Sequence, residues 1–347
     1  MTRTSIVVLL AIGIVTLACS MKAFAQSRSC TAQLVCGGYS SNSGCQPPLA
    51  ATAYACAAIA PFEAECTVNT NACAPAPECP NCNNGGAPIN LANGDTEISE
   101  TDVRIPGLGG GLTLVRTWNS IWSAVATGSM VGLFGPGWRS NFEESVYAGS
   151  DGYLKYSRGD GGFWSFGWTG QANNTNSFAV AGPASQTATL IQTPGNWTLS
   201  FKNGEQRVFD GTSGNLLSVT DRNGNITQLS YDASNRLVTV TDPASRHLYF
   251  AYASPSSYLV TGVTSDVGVS LSYSYDNQGR LVQYTKPDRT SVSFQYGDLN
   301  PTLVTAVIDS NGKVLESHTY DSQGRGLTSS RAGGVEAITV TYPPTAP

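Results

Sequence analysis

Along residues 205–342, apolar and polar positions alternate in runs of about five or six residues, each broken by Asp, Asn, Gly or Pro. The runs repeat. Aligned on an aromatic anchor, they place Phe209, Tyr231, Tyr252, Tyr275, Tyr296, Tyr320 and Tyr342 at intervals of 21 to 24 residues. Two positions before the anchors stand Leu229, Phe250, Tyr273, Phe294, His318 and Val340. Four before stand Thr227, Leu248, Leu271, Val292, Glu316 and Ile338. In a strand, a period of two puts anchor, −2 and −4 on one face, which is mostly apolar. Asp follows the anchor at Asp210, Asp232, Asp276 and Asp321, with Asn or Gly two or three residues on in the fuller copies. That is turn chemistry: the carboxylate accepts backbone N–H groups, and Gly or Asn takes a positive φ. A second strand then runs out, as in Leu237–Thr241, and a second turn falls mid-repeat at Asp221–Asn225, Asp242-Pro243, Pro287-Asp288 and Asp309–Gly312. Each copy is thus a two-stranded hairpin. One hairpin is marginal alone, so copies must stack to bury their aromatic face.

Upstream, between residues 87 and 204, short apolar or aromatic runs are separated by Gly and Pro. Examples are Leu112–Trp118, Gly135-Pro136-Gly137-Trp138 and Gly161–Phe166. These read as strands and tight turns. All six Trp lie between 118 and 197, so this segment should hold the heaviest core. The fold class is all-β: tandem hairpin repeats (205–342) forming a curled sheet or partial β-shell. A β-rich domain (87–204), a Cys-rich segment (26–86) and a leader (1–25) precede them, and a Pro-rich tail (343–347) follows.

The leader is the one long apolar run. Arg3, the stretch Ile6 to Ala18, and Ala23-Phe24-Ala25 have the layout of a secretory signal peptide, with cleavage expected after Ala25. Lipoprotein processing at Cys19 is the alternative. The expected location is secreted, periplasmic or cell-surface. Of 19 Lys and Arg, the leader carries Arg3 and Lys22, leaving 17 against 24 Asp and Glu. An acidic chain without basic runs is a poor fit to nucleic acid or to anionic lipid.

Of nine cysteines, eight are crowded between residues 30 and 82: Cys30, Cys36, Cys45, Cys56, Cys66, Cys73, Cys79 and Cys82. Behind an export signal, an even and crowded set reads as disulfides, with the pairing open. The C-x-x-C at Cys79–Cys82 also admits a redox or zinc reading. It lacks the helix-opening context of the first and a second close pair for the second.

Tyr231-Asp232…Arg236-Leu237, Tyr275-Asp276…Gly279-Arg280-Leu281 and Tyr320-Asp321…Gly324-Arg325 resemble the YD repeats of RHS proteins and teneurins. Pro88–Asp95, Leu114–Ser120 and Phe134–Trp138 resemble the domain that precedes such repeats in bacterial members. The resemblance covers roughly 87–342. It implies a sheet of the kind that, in long arrays, spirals into a hollow shell around a C-terminal toxin released by self-cleavage. The Asp-Pro-x-Gly-Leu cleavage motif is absent here and no globular segment follows Tyr342, so the toxin role is not expected of this chain. The resemblance also brings an association with carbohydrate binding and cell-surface contact.

Candidate chemistry is sparse. His318 occupies a −2 position and reads as a half-buried sheet residue; with His247 it completes no Ser-His-Asp set. Gly107–Gly111 lacks the Lys-Ser/Thr of a phosphate loop and reads as a turn between strands. Glu143-Glu144, adjacent in an expected strand, should point to opposite faces. Asp221–Gly224 and Asp309–Gly312 suit either Ca²⁺ or a plain hairpin turn. No cofactor, metal or catalytic residue is expected. The leading expectation is a non-catalytic structural or interaction protein. The alternative is a carbohydrate-binding or adhesion module using Trp122, Trp164, Trp168 or Trp197, and a hydrolase is a distant third. Expected partners are a surface glycan or another β-rich chain, the latter at the uncharged last strand Ala337–Tyr342, taken as an open edge.

Overall fold

A computed structural model describes residues 87–91, 93–121, 131–297 and 301–342, with the short strands Val35–Cys36, Tyr39–Ser40 and Asn84–Gly85. The leader, the cysteine side chains, Trp122 and the tail 343–347 lie outside the described residues. The described chain is all-β and its strand pairs are antiparallel. It falls into two compact units. One contains Ser145–Ser157 and Gly162–Gly214; the other holds the described residues of Pro77–Glu144, Arg158–Gly161 and Asn215–Pro347.

In the first unit the strands Ser145–Ala148, Leu154–Ser157, Phe163–Ala172, Thr175–Gly182, Ala188–Thr193, Asn196–Phe201 and Gln206–Asp210 pair in chain order. Its core is aromatic. Tyr156 meets Trp164, Phe201 and Phe209 edge to face, with ring centroids 5.7, 6.2 and 5.9 Å away. Phe209, the first anchor, is fully buried here.

In the second unit, hairpins from Leu216–Thr220 to Val335–Thr339 also pair in chain order. Their inward rows are the predicted −2 and −4 positions and their cross-strand partners. Leu229 faces Val240, Phe250 faces Val263, Tyr273 faces Tyr284 and Phe294 faces Val307; all are buried. Over these rows lies a small sheet of Glu97–Ile105, Leu112–Asn119 and Trp138–Ser140. Trp138 of this sheet, with Phe134 and Phe142 on either side of it in the chain, reaches the rows: Phe134 meets Tyr273, Trp138 meets Phe294 and Phe142 meets Phe250, at centroid distances of 4.9, 4.9 and 6.3 Å.

The anchors depart from the simple period-two reading. At five of the seven anchors the register slips between the anchor and the residue before it, at Ser230/Tyr231, Ala251/Tyr252, Ser274/Tyr275, Gln295/Tyr296 and Thr319/Tyr320. The β-bulge turns these anchors out of line with −2 and −4, and they are half-buried. Three further expectations are corrected. Glu143 and Glu144 are not in a strand; they follow the turn at Asn141–Phe142. His318 is fully buried, not half-buried. The last strand is Val335–Thr339, so it contains Glu336, which pairs with Arg331 at 3.0 Å. A slip between Ser329 and Arg331 and the turn at Ala332–Gly334 start the strand earlier than alternation alone implies.

Candidate functional site

The repeat motif forms a lock. Asp232 Oδ1 accepts the backbone N–H groups of Ser234 and Arg236, at 2.9 and 3.0 Å. Its Oδ2 accepts the Arg236 side chain. Asn235, at φ 63°, closes the turn. The Arg236 guanidinium then lies 4.5 Å from the centre of the Tyr252 ring, the next anchor, and its Nη1 donates to the carbonyls of Ser254 and Ser257. Asp276 and Arg280 repeat this beneath Tyr296, as do Asp321 and Arg325 beneath Tyr342. Every tyrosine anchor also donates its hydroxyl to a carbonyl 15 or 16 residues back. Tyr231 reaches Leu216, Tyr252 reaches Leu237, Tyr275 reaches Val260 and Tyr296 reaches Leu281, at 2.7–2.8 Å. Tyr320 and Tyr342 do the same to Val304 and Gly326. Motif residues thus bind one hairpin to the next. Hydrogen bonds from Arg236 hold Asp232 below the usual carboxylate range. For Asp276 burial opposes, and the bonds from Arg280 outweigh it. Burial pushes the anchor hydroxyls up, so they stay protonated donors.

The mid-repeat turns use the same geometry. Asp221 Oδ1 accepts Asn223 N and Asn225 N, and its Oδ2 accepts the Asn225 amide. Asp309 accepts Asn311 N and Lys313 N. These carboxylates face their own turns. Among the described residues no cluster of three His, Cys, Asp or Glu is placed to hold a metal.

The densest charge centre lies beneath the small sheet. Arg116, on Leu112–Asn119, forms a bidentate pair with Asp102: Nε meets Oδ2, and Nη2 meets Oδ1 at 2.8 Å. Neither side chain is exposed. The guanidinium is ringed by Trp138 and Tyr284, each 4.7 Å from it, by Tyr273 at 5.3 Å and by Phe134 at 5.4 Å. Its Nη1 has no hydrogen-bond acceptor among the described residues, and the surrounding rings stabilise the guanidinium charge. Tyr273 donates to Asp102 at 2.7 Å, and Tyr284 donates to Glu100 at 2.9 Å. Burial works against the Arg116 charge, but Asp102 outweighs it and keeps the group cationic. Sequence reading missed this centre. The clue was that only Tyr273, among the −2 residues, carries a hydroxyl.

Other buried carboxylates hold loops. Glu143 accepts Leu133 N and Ser140 N, both at 2.7 Å, and so fastens the Gly135–Trp138 turn. Burial raises its pKa. Asp95 accepts Ile121 N and Ser120 Oγ; burial pushes it up to about 7. Burial, then Asp160 and Asp95, push Glu97 up to about 7.

The remaining candidates are dispersed. His247 bonds Asp266 at 2.8 Å and stacks on Tyr249, at the surface. His318 lies inside, 3.6 Å from Glu316 and opposite Ser329. Gly107–Gly111 is a 3-10 turn between two strands, as expected. Trp164 is buried, Trp168 is 53% exposed, and Trp197 packs on Phe178. No described set of residues resembles a nucleophile, base and oxyanion donor.

A model of the RHS repeat matches residues 210–247 and 259–298, and the domain of unknown function DUF6531 matches 86–166. The chain is 32% identical over 149 residues to a Bacillus subtilis (strain 168) protein named tRNA nuclease WapA, a match spanning 43% of this chain and 6% of that protein. A Bacillus spizizenii protein named tRNA3(Ser)-specific nuclease WapA is 31% identical over the same length. Among solved structures, the Photorhabdus luminescens Tc holotoxin pore is similar at a TM-score of 0.27 and 13% identity, covering 67% of this chain and 14% of that one.

Proposed function

Because this chain is an RHS/YD-repeat protein, with the DUF6531 domain ahead of its repeats, we propose that it is an exported, non-catalytic β-scaffold that serves structure and interaction. One observation carries the reading. The residues able to do chemistry are engaged in holding strands together: the Asp and Arg of the repeats close turns and clamp anchors, and Arg116, Asp102, Tyr273 and Tyr284 satisfy one another. A scaffold of this kind recognises partners by its faces and edges. The Val335–Thr339 strand, last in its sheet, is a place for another β-chain to add, with Glu336 and Arg331 restricting which. Among the described residues no helix is long and apolar enough to cross a membrane, which is compatible with export. The eight cysteines belong to this reading as disulfides.

The name of the similar Bacillus subtilis protein suggests cleavage of tRNA as a competing role. A net charge of −5 works against binding a phosphate backbone. Incubating the purified chain with total tRNA, with and without Mg²⁺, tests this. Intact tRNA is expected. Cleavage that disappears when His318 or His247 is replaced would overturn the scaffold reading.

A further inference from the structure

Asn-Gly occurs five times in the sequence, and the side chains of four of these asparagines are described: Asn93, Asn203, Asn223 and Asn311. The pair carries a chemistry of its own. The backbone nitrogen after an asparagine can attack the side-chain carbonyl, and glycine, with no Cβ, leaves that approach open. Local structure decides which pair reacts, because the attack needs a free asparagine amide and a turn that can open.

Three of the four are held. Asn93 Oδ1 accepts Asp95 N at 2.9 Å. Its Gly94 is gripped on both sides, donating to the Asn90 carbonyl at 2.7 Å and accepting Gly326 N at 2.8 Å. Asn203 Oδ1 accepts Glu205 N at 3.0 Å. Asn223 lends its side chain to the Asp221 carboxylate, beside the bond from the Asn225 amide at 2.8 Å. Asn311 is different. It is exposed, its backbone N–H goes to Asp309 Oδ1 at 2.9 Å, and among the described residues its side-chain amide has no partner.

The hairpin that carries Asn311 is also the least regular of the three hairpins concerned. Asn203, Asn223 and Asn311 sit in matching turns, whose glycine N–H donates to the carbonyls of Phe201, Asp221 and Asp309, each at 3.0 Å. The strands flanking the first two turns pair without a slip, starting at Ser200 with Gln206 and at Thr220 with Ile226. Beside Asn311 the register slips between Val307 and Ile308, which leaves Leu315 as an extra residue on the returning strand. A bulge so close to the turn disrupts the ladder that would keep it shut. Gly312 has φ 79° and nothing within 4 Å of the place its Cβ would take, so the peptide has room to swing.

We propose that Asn311 is a site of spontaneous deamidation and reacts first among these four. The Gly312 nitrogen gives up its proton and bonds to the Asn311 side-chain carbonyl carbon, and the side-chain nitrogen leaves as ammonia. A succinimide ring results. Water then breaks one of its carbonyl–nitrogen bonds. Opening at the side-chain carbonyl gives aspartate; opening at the main-chain carbonyl gives isoaspartate, with the chain running through the former side chain. Water is the only co-reactant and nothing is oxidised. Either product adds a negative charge beside Asp309 and Lys313. Isoaspartate also lengthens the turn by a carbon, so the bond from Gly312 N to the Asp309 carbonyl is lost. The hairpin of Val304–Asp309 and Val314–Tyr320 therefore loosens with age. This modification goes beyond the scaffold reading and does not depend on it.

The test keeps the full chain in mildly alkaline buffer, with a second sample in urea, and maps both by digestion and mass spectrometry over days. In the folded chain Asn311 should convert about fivefold faster than Asn203 or Asn223, the ratio that one net hydrogen bond is worth. Urea should bring the rates together. Asn311→Gln should remove most of the acidic form that ion exchange resolves. Hydrogen exchange across residues 304–320 should quicken in the aged wild type and not in aged Asn311→Gln. Asn203 or Asn223 converting as fast as Asn311 in the folded chain overturns the proposal. So does an intact Asn311 in the folded chain once the urea sample has converted.

Discussion

The Tyr275 hydroxyl donates to the Val260 carbonyl at 2.7 Å, fifteen residues back along the chain. Tyr275 thereby closes the hairpin before it while its own strand opens the next. Tyr275→Phe keeps the ring and loses that bond, so urea denaturation should show a loss of about 1 kcal/mol. Tyr275→Ala also empties the ring's space and should cost about 3 kcal/mol. Equal stability of Tyr275→Phe and the wild type would mean the hydroxyl is not part of the lock.

Gly135, in the Gly-Pro-Gly-Trp stretch, has φ 95°, and a Cβ there would sit 2.5 Å from the Gly279 carbonyl oxygen. The neighbouring Leu133 carbonyl accepts Val260 N at 2.8 Å. Gly135→Ala therefore meets a backbone atom that cannot yield as well as an unfavourable φ, and should cost about 2 kcal/mol or more. Gly224 has a similar φ of 82° with nothing within 4 Å, so Gly224→Ala should cost only about 1 kcal/mol. Thermal unfolding of the two variants side by side should show that order.

Much of the lock was legible. The anchor spacing, the Asp turns and the hairpin count per repeat follow from residues close in sequence. The bulge before the anchors was not, because alternation assumes an unbroken register. Two long-range substitutions in the last repeat were not legible either. Gly326 stands where the fuller copies have Leu237 and Leu281. A Cβ there would meet Thr96 Oγ1 at 2.5 Å and Ile89 at 2.9 Å, so the segment near residue 90 fills the place of the missing leucine. Ser329 likewise donates to the Ala87 carbonyl. Such partners lie more than 200 residues away, beyond the reach of local pattern. The Arg116 centre was hidden for the same reason, since its rings come from both ends of the unit.

Two opposing sets of carboxylates shape the pH response. Asp95 and Glu97 are raised from 3.8 and 4.5 to about 7, so they bind protons more tightly in the fold. The stability they contribute is present below their unfolded pKa values and is lost as pH rises through about 7. Asp232 and Asp276 are lowered, so their contribution is present above the unfolded value and lost as pH falls through the folded one. Stability should therefore peak in acidic solution, near about pH 4, where the two windows meet. Glu97→Gln should flatten the decline toward neutral pH in denaturation curves taken at several pH values. An unchanged slope would contradict the assignment.

The proposed export predicts that the cysteines between 30 and 82 carry no free thiol. Alkylation of the denatured, unreduced chain, read by mass spectrometry, should add no label. Two or more labelled cysteines would contradict the disulfide reading.

The central claim is that this chain's reactive side chains hold a scaffold rather than perform chemistry, and Arg116 with Asp102 is where it is most exposed to test. Removing one member of a buried pair strands the other charge. Replacing both with apolar residues of similar size removes the penalty. The decisive measurement is urea denaturation of Arg116→Met, Asp102→Leu and the double variant. Each single variant should lose about 3–5 kcal/mol, and the double should recover much of it. Single variants as stable as the wild type, or more stable, would mean that the pair is kept for something other than holding the fold, and would contradict the claim.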